Sequence, residues 1–249
     1  MNERQRQLRD EFVAARGYWS DVWESVLALD TDFFETYLHL SSVPWRTGRL
    51  EPKVKEFVYI AIDGAATHLY EPGLRIHIRK ALEYGATKEE LVEVFQLTST
   101  LGIHASTVGV PILLEAMGDA PLPARDERRE ALRADFVAKR GYWHEFWDGM
   151  LALDPDFFQA YLDFSSLPWS QGVLEPKVKE LIYIAFDASA THMYIPGLKQ
   201  HVENALALGA APEEIMEVFE IASVIGIHTC TVGVPILIEE LERAGIEWR

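Results

Sequence analysis

The stretch Pro52-Lys-Val-Lys-Glu-Phe-Val-Tyr-Ile-Ala-Ile-Asp-Gly-Ala-Ala-Thr-His-Leu69 decides the fold, because a close copy of it occurs later in the chain. The copy is Pro176-Lys-Val-Lys-Glu-Leu-Ile-Tyr-Ile-Ala-Phe-Asp-Ala-Ser-Ala-Thr-His-Met193. Working outward, Leu8–Met117 aligns with Leu132–Leu241 at an offset of 124 residues without a gap, and about three positions in five are identical. The chain is therefore a tandem duplication.

The segment between the two copies, Gly118–Arg125, contains a glycine and two prolines and has no apolar periodicity, which is typical of a linker. We place the boundary near Pro123. Residues 1–122 and 123–249 are accordingly predicted to form two similar domains related by an internal pseudo-twofold axis.

Each repeat is predicted to be helical, because its apolar residues follow helical spacing and no strand-like alternation between hairpin turns occurs. Leu8–Leu29 is predicted as a first amphipathic stretch, and Pro52–Leu69 as a helix with proline at a favourable first position. Leu74–Tyr84 is predicted as a helix closed by Gly85. A capping box at Thr87–Glu90 opens the next helix, and the fold class is therefore all-α.

The composition limits the classes of function. The 249 residues include 39 acidic and 23 basic side chains, giving a formal net charge of −16, which disfavours nucleic acid and anionic membranes as partners. No secretory signal is recognised, and no apolar run is expected to approach the roughly 18 residues of a membrane span. We expect a soluble cytoplasmic protein. Its single cysteine, Cys230, excludes an internal disulfide or dithiol.

Acidic side chains occur on a face of the helix that begins at Pro52. With 100° per residue, Glu56, Tyr59 and Asp63 share one face, and both faces of the helix are candidates for burial. Glu56 and Asp63 lie two turns apart, roughly 10 Å along the axis, so each is expected to find its partner on another helix. The alternative is that they are solvated or paired with neighbouring lysines.

His77 follows the apolar stripe of the next predicted helix, at i+3 from Leu74, and is therefore predicted to be buried. A buried histidine that is hydrogen-bonded to a carboxylate can act as a general acid or base near neutral pH. The alternative is a core histidine that bonds a backbone carbonyl.

Six of the eight histidines form three pairs at the repeat offset, whereas His39 and His144 are unmatched and are predicted at the surface. Three histidines per repeat is also the number that binds a catalytic zinc or iron with an open coordination position. The spacing differs from His-Glu-x-x-His, and the three histidines of each repeat lie on different predicted elements. The matched pairs are His68 with His192, His77 with His201, and His104 with His228.

Three motifs follow one another in the first repeat: Lys55-Glu-Phe-Val-Tyr-Ile-Ala-Ile62, Gly73-Leu-Arg-Ile-His-Ile-Arg-Lys-Ala-Leu82 and Gly85-Ala-Thr-Lys-Glu-Glu-Leu-Val-Glu-Val94. With these motifs, Leu50–Thr100 resembles the carboxymuconolactone decarboxylase and AhpD-like family, and Leu174–Val224 resembles it again. The resemblance implies two tandem AhpD-like helical domains.

The family has a peroxidase-linked branch and a decarboxylase branch. The first uses a Cys-x-x-Cys pair, but this chain has Thr67-His-Leu-Tyr-Glu71 and Thr191-His-Met-Tyr-Ile195 at those places, so dithiol peroxidase activity is not expected. The decarboxylase branch needs no cysteine and acts on a lactone acid from aromatic breakdown. The resemblance places its catalytic glutamate and histidine at Glu56 with His77, and at Glu180 with His201.

Two departures from the family pattern involve histidine. His68 lies where the interval between the family glutamate and histidine is about two residues longer than usual. Gly102-Ile-His104 and Gly226-Ile-His228 stand where the decarboxylases usually have Gly-Val-Pro. These additions indicate a changed substrate or a bound metal.

We therefore expect a lyase of the carboxymuconolactone decarboxylase type, with Glu/His acid–base chemistry on a small carboxylated or lactone-type substrate and no cofactor. The predicted substrate-binding residues are His68, His104, Tyr59, Asp63, His192, His228, Tyr183 and Asp187. One alternative is a divalent-metal enzyme of the same fold, with zinc or iron bound by the three histidines of each repeat: His68, His77 and His104, and His192, His201 and His228. Another is a non-catalytic ligand-binding or assembly module. Because single-unit family members form rings, the resemblance implies a homotrimer.

Overall fold

The computed structural model describes residues 1–119 and 121–248, and these contain no β-strand, so the all-α prediction is confirmed. The first repeat forms α1 (Glu3–Arg16), α2 (Asp21–Leu29), α3 (Thr31–Ser41), α4 (Val43–Thr47), α5 (Pro52–Gly64), α6 (Glu71–Glu83), α7 (Lys88–Ser99) and α8 (His104–Met117). The second forms α9 (Glu127–Arg140), α10 (Phe146–Leu153), α11 (Pro155–Gln171), α12 (Pro176–Ala188), α13 (Ile195–Ala207), α14 (Pro212–Ser223) and α15 (His228–Arg243). The predicted boundary near Pro123 falls between α8 and α9.

Several helix ends differ from the predicted ones. The stretch Leu8–Leu29 is two helices, because Gly17 has φ +72° and ends α1, a left-handed conformation that glycine adopts readily. The helix from Pro52 ends at Gly64, five residues earlier than predicted, and a turn follows it. The capping box is confirmed: Thr87 Oγ1 accepts the Glu90 amide at 3.1 Å, and the Glu90 carboxylate accepts the Thr87 amide at 2.8 Å.

The core is centred on α5 and α12, which pack against each other. Every residue from Val54 to Asp63 is buried, so both faces of α5 are covered. The same holds for 178–187 of α12. One continuous apolar cluster contains side chains of both repeats, including Phe57 and Phe186. The two repeats therefore share this central cluster.

The last helix of each repeat packs on the other repeat: α15 contacts α2, and α8 contacts α10. Ile227, just before α15, lies in an aromatic cluster of the first repeat with Phe12, Trp23 and Phe34. Ile103 lies in the equivalent cluster of the second repeat. A short 3₁₀ turn precedes each of these helices, at Thr100–Ile103 and Val224–Ile227. The repeats consequently exchange the segments that carry His104 and His228.

Two buried ion pairs join the repeats at equivalent places. Lys179 of α12 lies 2.8 Å from Glu93 of α7, and all four side chains of the two pairs are at most 3% exposed. Glu93 also accepts hydrogen bonds from the backbone amides of Val173 and Leu174, at 2.6 and 2.8 Å. In the equivalent pair, Lys55 lies 3.3 Å from Glu217. These carboxylates thus bind the loops that lead into α5 and α12.

The sequence was predicted to contain no apolar run long enough for a membrane span, and judged by length and composition alone this prediction is wrong. Two helical stretches, Lys88–Met117 and Pro212–Arg243, are long and apolar enough to cross a membrane, with 33% and 28% of their apolar windows buried. The reason is that α7 with α8, and α14 with α15, continue through the 3₁₀ turns with few charged residues. Core helices of soluble proteins can be equally long and apolar, so the two stretches are weak evidence for a membrane span.

Candidate active site

A buried glutamate–histidine pair joins α5 to α6. The Nδ1–H group of His77 donates to Glu56 Oε2 at 2.6 Å, and both side chains are almost fully buried. The carboxylate fixes the tautomer and the orientation of the ring, so that Nε2 faces the other way. The prediction that Glu56 finds its partner on another helix is confirmed. Its lysine neighbours pair elsewhere, Lys53 with Glu90 and Lys55 with Glu217.

Gly73 allows the start of α6 to lie close to Asp63 at the end of α5. A Cβ atom at this position would lie 2.2 Å from Asp63 Oδ2 and 2.7 Å from the ring of Tyr70. Real Cβ atoms do not approach other atoms so closely, and therefore only glycine fits without movement of the buried carboxylate. Gly197 has the same role beside Asp187.

Tyr59 and Arg16 cover the other side of His77. The Tyr59 ring stacks on the imidazole with centroids 4.2 Å apart. The Arg16 guanidinium donates to the Tyr59 hydroxyl at 3.1 Å and to the Ser41 carbonyl at 3.0 Å. No carboxylate of the described residues lies within ion-pair distance of Arg16, although its side chain is buried. A buried cation without an anionic partner is a suitable place for a substrate carboxylate.

Asp63 lies between His77 and two further histidines. Its Oδ2 is 3.9 Å from His77 Nε2, while its Oδ1 is 4.0 Å from His68 Nε2 and 3.9 Å from His228 Nδ1. No described residue donates a hydrogen bond to either oxygen. Burial, reinforced by the nearby charge of Glu56, raises the pKa of Asp63 to about 8.

His68 and His228 come from different repeats and meet at this carboxylate. His68 Nε2 and His228 Nδ1 are 2.7 Å apart. The Tyr70 ring stacks on His228 at 3.7 Å, and its hydroxyl lies 2.5 Å from Thr231 Oγ1. Burial, followed by the neighbouring histidines, lowers the pKa of His228 to about 3, so this imidazole is neutral near pH 7.

A strained turn presents His68 to the site. Leu69 has φ +49°, a left-handed conformation that is uncommon for a branched residue, and its side chain is exposed. The Tyr70 amide donates back to the Asp63 carbonyl at 2.9 Å and closes the turn. The same strain occurs at Met193 in the second repeat, with φ +51°. Both copies therefore retain a conformation that costs about 1 kcal/mol or more.

We call the group Glu56, Asp63, His68, His77 and His228 site I. Site II is its equivalent, Glu180, Asp187, His192, His201 and His104.

Site II repeats the geometry of site I. His201 Nδ1 donates to Glu180 at 2.6 Å, and Tyr183 stacks on His201 with centroids 4.3 Å apart. His104 Nδ1 lies 2.5 Å from His192 Nε2. His104 Nδ1 also lies 3.8 Å from Asp187 Oδ1. Burial, together with Glu180, raises the pKa of Asp187 to about 8, and burial lowers the pKa of His104 to about 3.

The structure does not bring together the three histidines of one repeat as the metal hypothesis assumed. His104 belongs to site II and His228 to site I, because α8 and α15 each pack on the opposite repeat. Each site therefore takes all but one of its members from one repeat. The histidine sets predicted for a metal, His68 with His77 and His104, and His192 with His201 and His228, are divided between two sites.

The cavities beside the two sites differ in size. Site I borders a cavity of about 230 Å³, lined among others by Arg16, Tyr59, His77 and His228. The equivalent cavity at site II has about 20 Å³, which is enough for about one water. Its lining contains the larger Phe146 and the polar Gln200, where the first repeat has Val22 and Ile76. A cavity of about 640 Å³, larger than either of these, lies at the linker and includes none of the ten site residues.

Sequence reasoning missed the two buried arginines, Arg16 and Arg140, and the two tyrosines that stack on the exchanged histidines, Tyr70 and Tyr194. All four are identical at the repeat offset, and this identity was the available signal. Periodicity alone could not distinguish them from core residues. His39 is exposed as predicted, whereas His144 is half-buried and accepts the Phe146 amide at 3.2 Å.

The fold and its two sites define an all-helical tandem-repeat protein with paired carboxylate–histidine groups at its centre. The profile of the carboxymuconolactone decarboxylase family matches residues 31–118 and 155–227, and the chain belongs to this family. A crystal structure from Burkholderia xenovorans LB400, described provisionally as a gamma-carboxymuconolactone decarboxylase subunit, is similar with a TM-score of 0.93. It shares 51% sequence identity, over 96% of this chain and 98% of that chain. A comparison with curated proteins gives no match.

Proposed function

We propose that the protein is a lyase of the carboxymuconolactone decarboxylase type, which uses Glu56 with His77 and Glu180 with His201 to transfer protons to a small carboxylated or lactone-type substrate. The observation that carries this proposal is the buried 2.6 Å hydrogen bond between His77 and Glu56 beside a cavity of about 230 Å³. Family membership agrees with this class of reaction. Thiol chemistry has no part in it, because Cys230 is the single cysteine and stands where the first repeat has Ser106.

Decarboxylation requires a proton donor beside the reacting carbon. The bond between that carbon and its carboxylate breaks, CO₂ leaves, and the electron pair delocalises into a conjugated carbonyl group. The resulting enolate takes a proton on carbon from His77 Nε2, and solvent restores the proton to the histidine, so one proton is consumed per turnover. Glu56 stabilises the protonated ring through Nδ1, as expected for a carboxylate that orients a catalytic histidine.

The remaining groups of site I are proposed to hold the substrate. Arg16 lines the cavity and has no carboxylate partner among the described residues, so it is available for a substrate carboxylate. Tyr59 and His228 line the cavity beside His77. Asp63 and His68 lie next to His228, 3.9 and 2.7 Å from its Nδ1. In site II, Tyr183, Asp187, His192 and His104 have the same positions.

The reaction class is tested by incubating the purified protein with γ-carboxymuconolactone in D₂O and following CO₂ release together with ¹H NMR spectra. We expect CO₂ and a decarboxylated lactone that carries one new C–D bond, at one end of the conjugated enolate that loss of CO₂ leaves. Deuterium exchange without CO₂ would contradict the lyase proposal in favour of isomerisation. Binding of carboxylated lactones without any turnover would favour a non-catalytic ligand-binding module.

A homotrimer in solution is also proposed. In α15 no residue is fully buried, and in α8 only Thr107 is, so each helix has an exposed apolar face in addition to the face that packs on the other repeat. Covering such faces by ring closure would stabilise the assembly. The similar crystal structure is described as a subunit. The exposed apolar residues, 48% to 60% accessible, are Val108, Ile112, Leu113, Val232, Ile236 and Leu237.

Light scattering at micromolar concentration is expected to give about three times the 28.3 kDa of one chain. The double variant Ile112→Glu/Ile236→Glu should reduce this mass, because a charge in an apolar interface is costly to bury. A mass of 28.3 kDa for the unmodified protein would contradict the proposal.

A further inference from the structure

The carboxylate of Asp63 lacks the partners that its burial requires. The residue is 1% exposed, and neither oxygen accepts a hydrogen bond from a described residue. The three nearest imidazole nitrogens, of His68, His77 and His228, are 3.9 to 4.0 Å away, which is beyond hydrogen-bonding distance. Asp187 is 0% exposed and equally without partners. Buried carboxylates are normally paired, hydrogen-bonded or bound to a metal.

We propose that Asp63, His68 and His228 bind a divalent transition-metal ion such as Zn²⁺, and that Asp187, His192 and His104 bind a second one. In each group one oxygen and two imidazole nitrogens lie within 4.8 Å of one another. Two imidazoles and one carboxylate suit Zn²⁺ or Fe²⁺ and leave coordination positions open. The carboxylate at the centre of the group favours a cation over an anion.

The separations require only small movements to accommodate an ion. A metal–nitrogen distance of 2.0–2.1 Å sets two tetrahedral nitrogen ligands about 3.3 Å apart. His68 Nε2 and His228 Nδ1 are now 2.7 Å apart, so the rings would separate by about 0.6 Å. Asp63 Oδ1, which now lies 3.9 Å from His228 Nδ1, would move closer to that nitrogen to join the same ion. The Tyr70 ring stacks on His228, and its hydroxyl is hydrogen-bonded to Thr231. These contacts fix the orientation of the His228 ring, with Nδ1 directed toward the proposed ion.

The proposed ligand set leaves the proton-transfer pair intact. His77 faces Asp63 Oδ2, the oxygen opposite the one nearest His68 and His228, and its Nδ1 remains bonded to Glu56. A metal at this place could polarise a substrate carbonyl within reach of His77. The metal proposal goes beyond the proposed function, because it is measured by metal content and stands whether or not the protein is a lyase.

Each metal site needs both repeats. Asp63 and His68 come from the first repeat, and His228 begins α15 of the second. His104 begins α8 of the first repeat and completes the other site. Neither repeat alone contains a full set of ligands, and this arrangement makes a specific prediction for paired substitutions.

The test is the metal content of the full-length protein, stripped with EDTA, dialysed against Zn²⁺ and then against metal-free buffer, and measured by mass spectrometry. We expect about two Zn²⁺ per chain, one for each group. The variant His68→Gln/His228→Gln should retain about one, because both changes fall in one site. His68→Gln/His104→Gln should retain none, because the changes fall in different sites.

The matched control is His39→Gln/His144→Gln, which removes two histidines outside the sites and should retain about two Zn²⁺. Circular dichroism confirms that each variant is folded. Asp63→Asn/Asp187→Asn, which keeps the volume of the side chains, provides a second route to metal loss if a histidine variant does not fold. Co²⁺ in place of Zn²⁺ should give visible absorption that the Asp variant lacks.

Two results would overturn the proposal. One is an unmodified protein that retains no more Zn²⁺ than Asp63→Asn/Asp187→Asn. The other is a folded His68→Gln/His104→Gln protein that retains one ion while His68→Gln/His228→Gln retains none, since that pattern requires sites built within single repeats.

Discussion

Replacing both His77 and His201 with glutamine is expected to lower kcat by roughly 10²- to 10⁴-fold while the fold survives. Glutamine preserves much of the side-chain volume and can still bond Glu56 and Glu180, but it cannot carry a proton at neutral pH. This is the largest effect on activity that we predict. It is measured as the rate of CO₂ release from the lactone acid.

The single variants should not be equivalent. Site I borders a cavity of about 230 Å³, whereas the cavity at site II has room for about one water. We therefore expect His77→Gln alone to remove most of the activity and His201→Gln to leave more than half of it. Equal losses of one half would show that both sites turn over substrate, and thus that the second cavity opens in solution.

The control for this experiment is His39→Gln/His144→Gln, which removes two histidines outside the sites and should leave kcat within a few fold. Zn²⁺ content provides a second control, because His77 and His201 are outside the proposed metal ligands and their loss should leave the metal content unchanged. Near wild-type turnover in a folded His77→Gln/His201→Gln protein would contradict the proton-transfer proposal and return these residues to a structural role.

The largest effect on stability is expected from the ion pairs that join the repeats. Glu93→Ala should lower the free energy of unfolding by about 3–5 kcal/mol, because it leaves the buried Lys179 ammonium without a counter-charge. It also leaves the Val173 and Leu174 amides without their acceptor. Glu217→Ala should have a similar effect through Lys55. Equilibrium unfolding in urea measures both changes.

Glu89→Ala is the matched control, since Glu89 lies on the same helix but is exposed, and its loss should change the free energy by about 0.5 kcal/mol or less. In the double variant Glu93→Leu/Lys179→Met both charges of this pair are removed, so no unpaired charge is left at this place and part of the stability should return. A loss below about 1 kcal/mol in Glu93→Ala would mean that water or local movement satisfies Lys179, and the pair would then be unimportant for joining the repeats.

The sequence by itself determined the helical fold, the duplication and the burial of His77. These features depend on local spacing: apolar residues at helical intervals define the buried stripe, and one internal comparison shows the offset. His77 had to be buried because it lies on that stripe, and burial of a histidine requires a partner. The resemblance to the carboxymuconolactone decarboxylase family supplied Glu56 as that partner, which spacing alone left open.

Only the tertiary structure decided which histidines meet. Helical periodicity gives the face on which His68, His104 and His228 lie, but it carries no information about which repeat that face contacts. Because α8 and α15 each pack on the opposite repeat, His228 lies beside Asp63 and His68, although it is 160 residues from His68 in the sequence. His104 lies beside Asp187 for the same reason. The role of Arg16 was hidden for the same reason: at the end of α1 it resembles a solvated basic residue until the packing of the helices encloses it beside Tyr59.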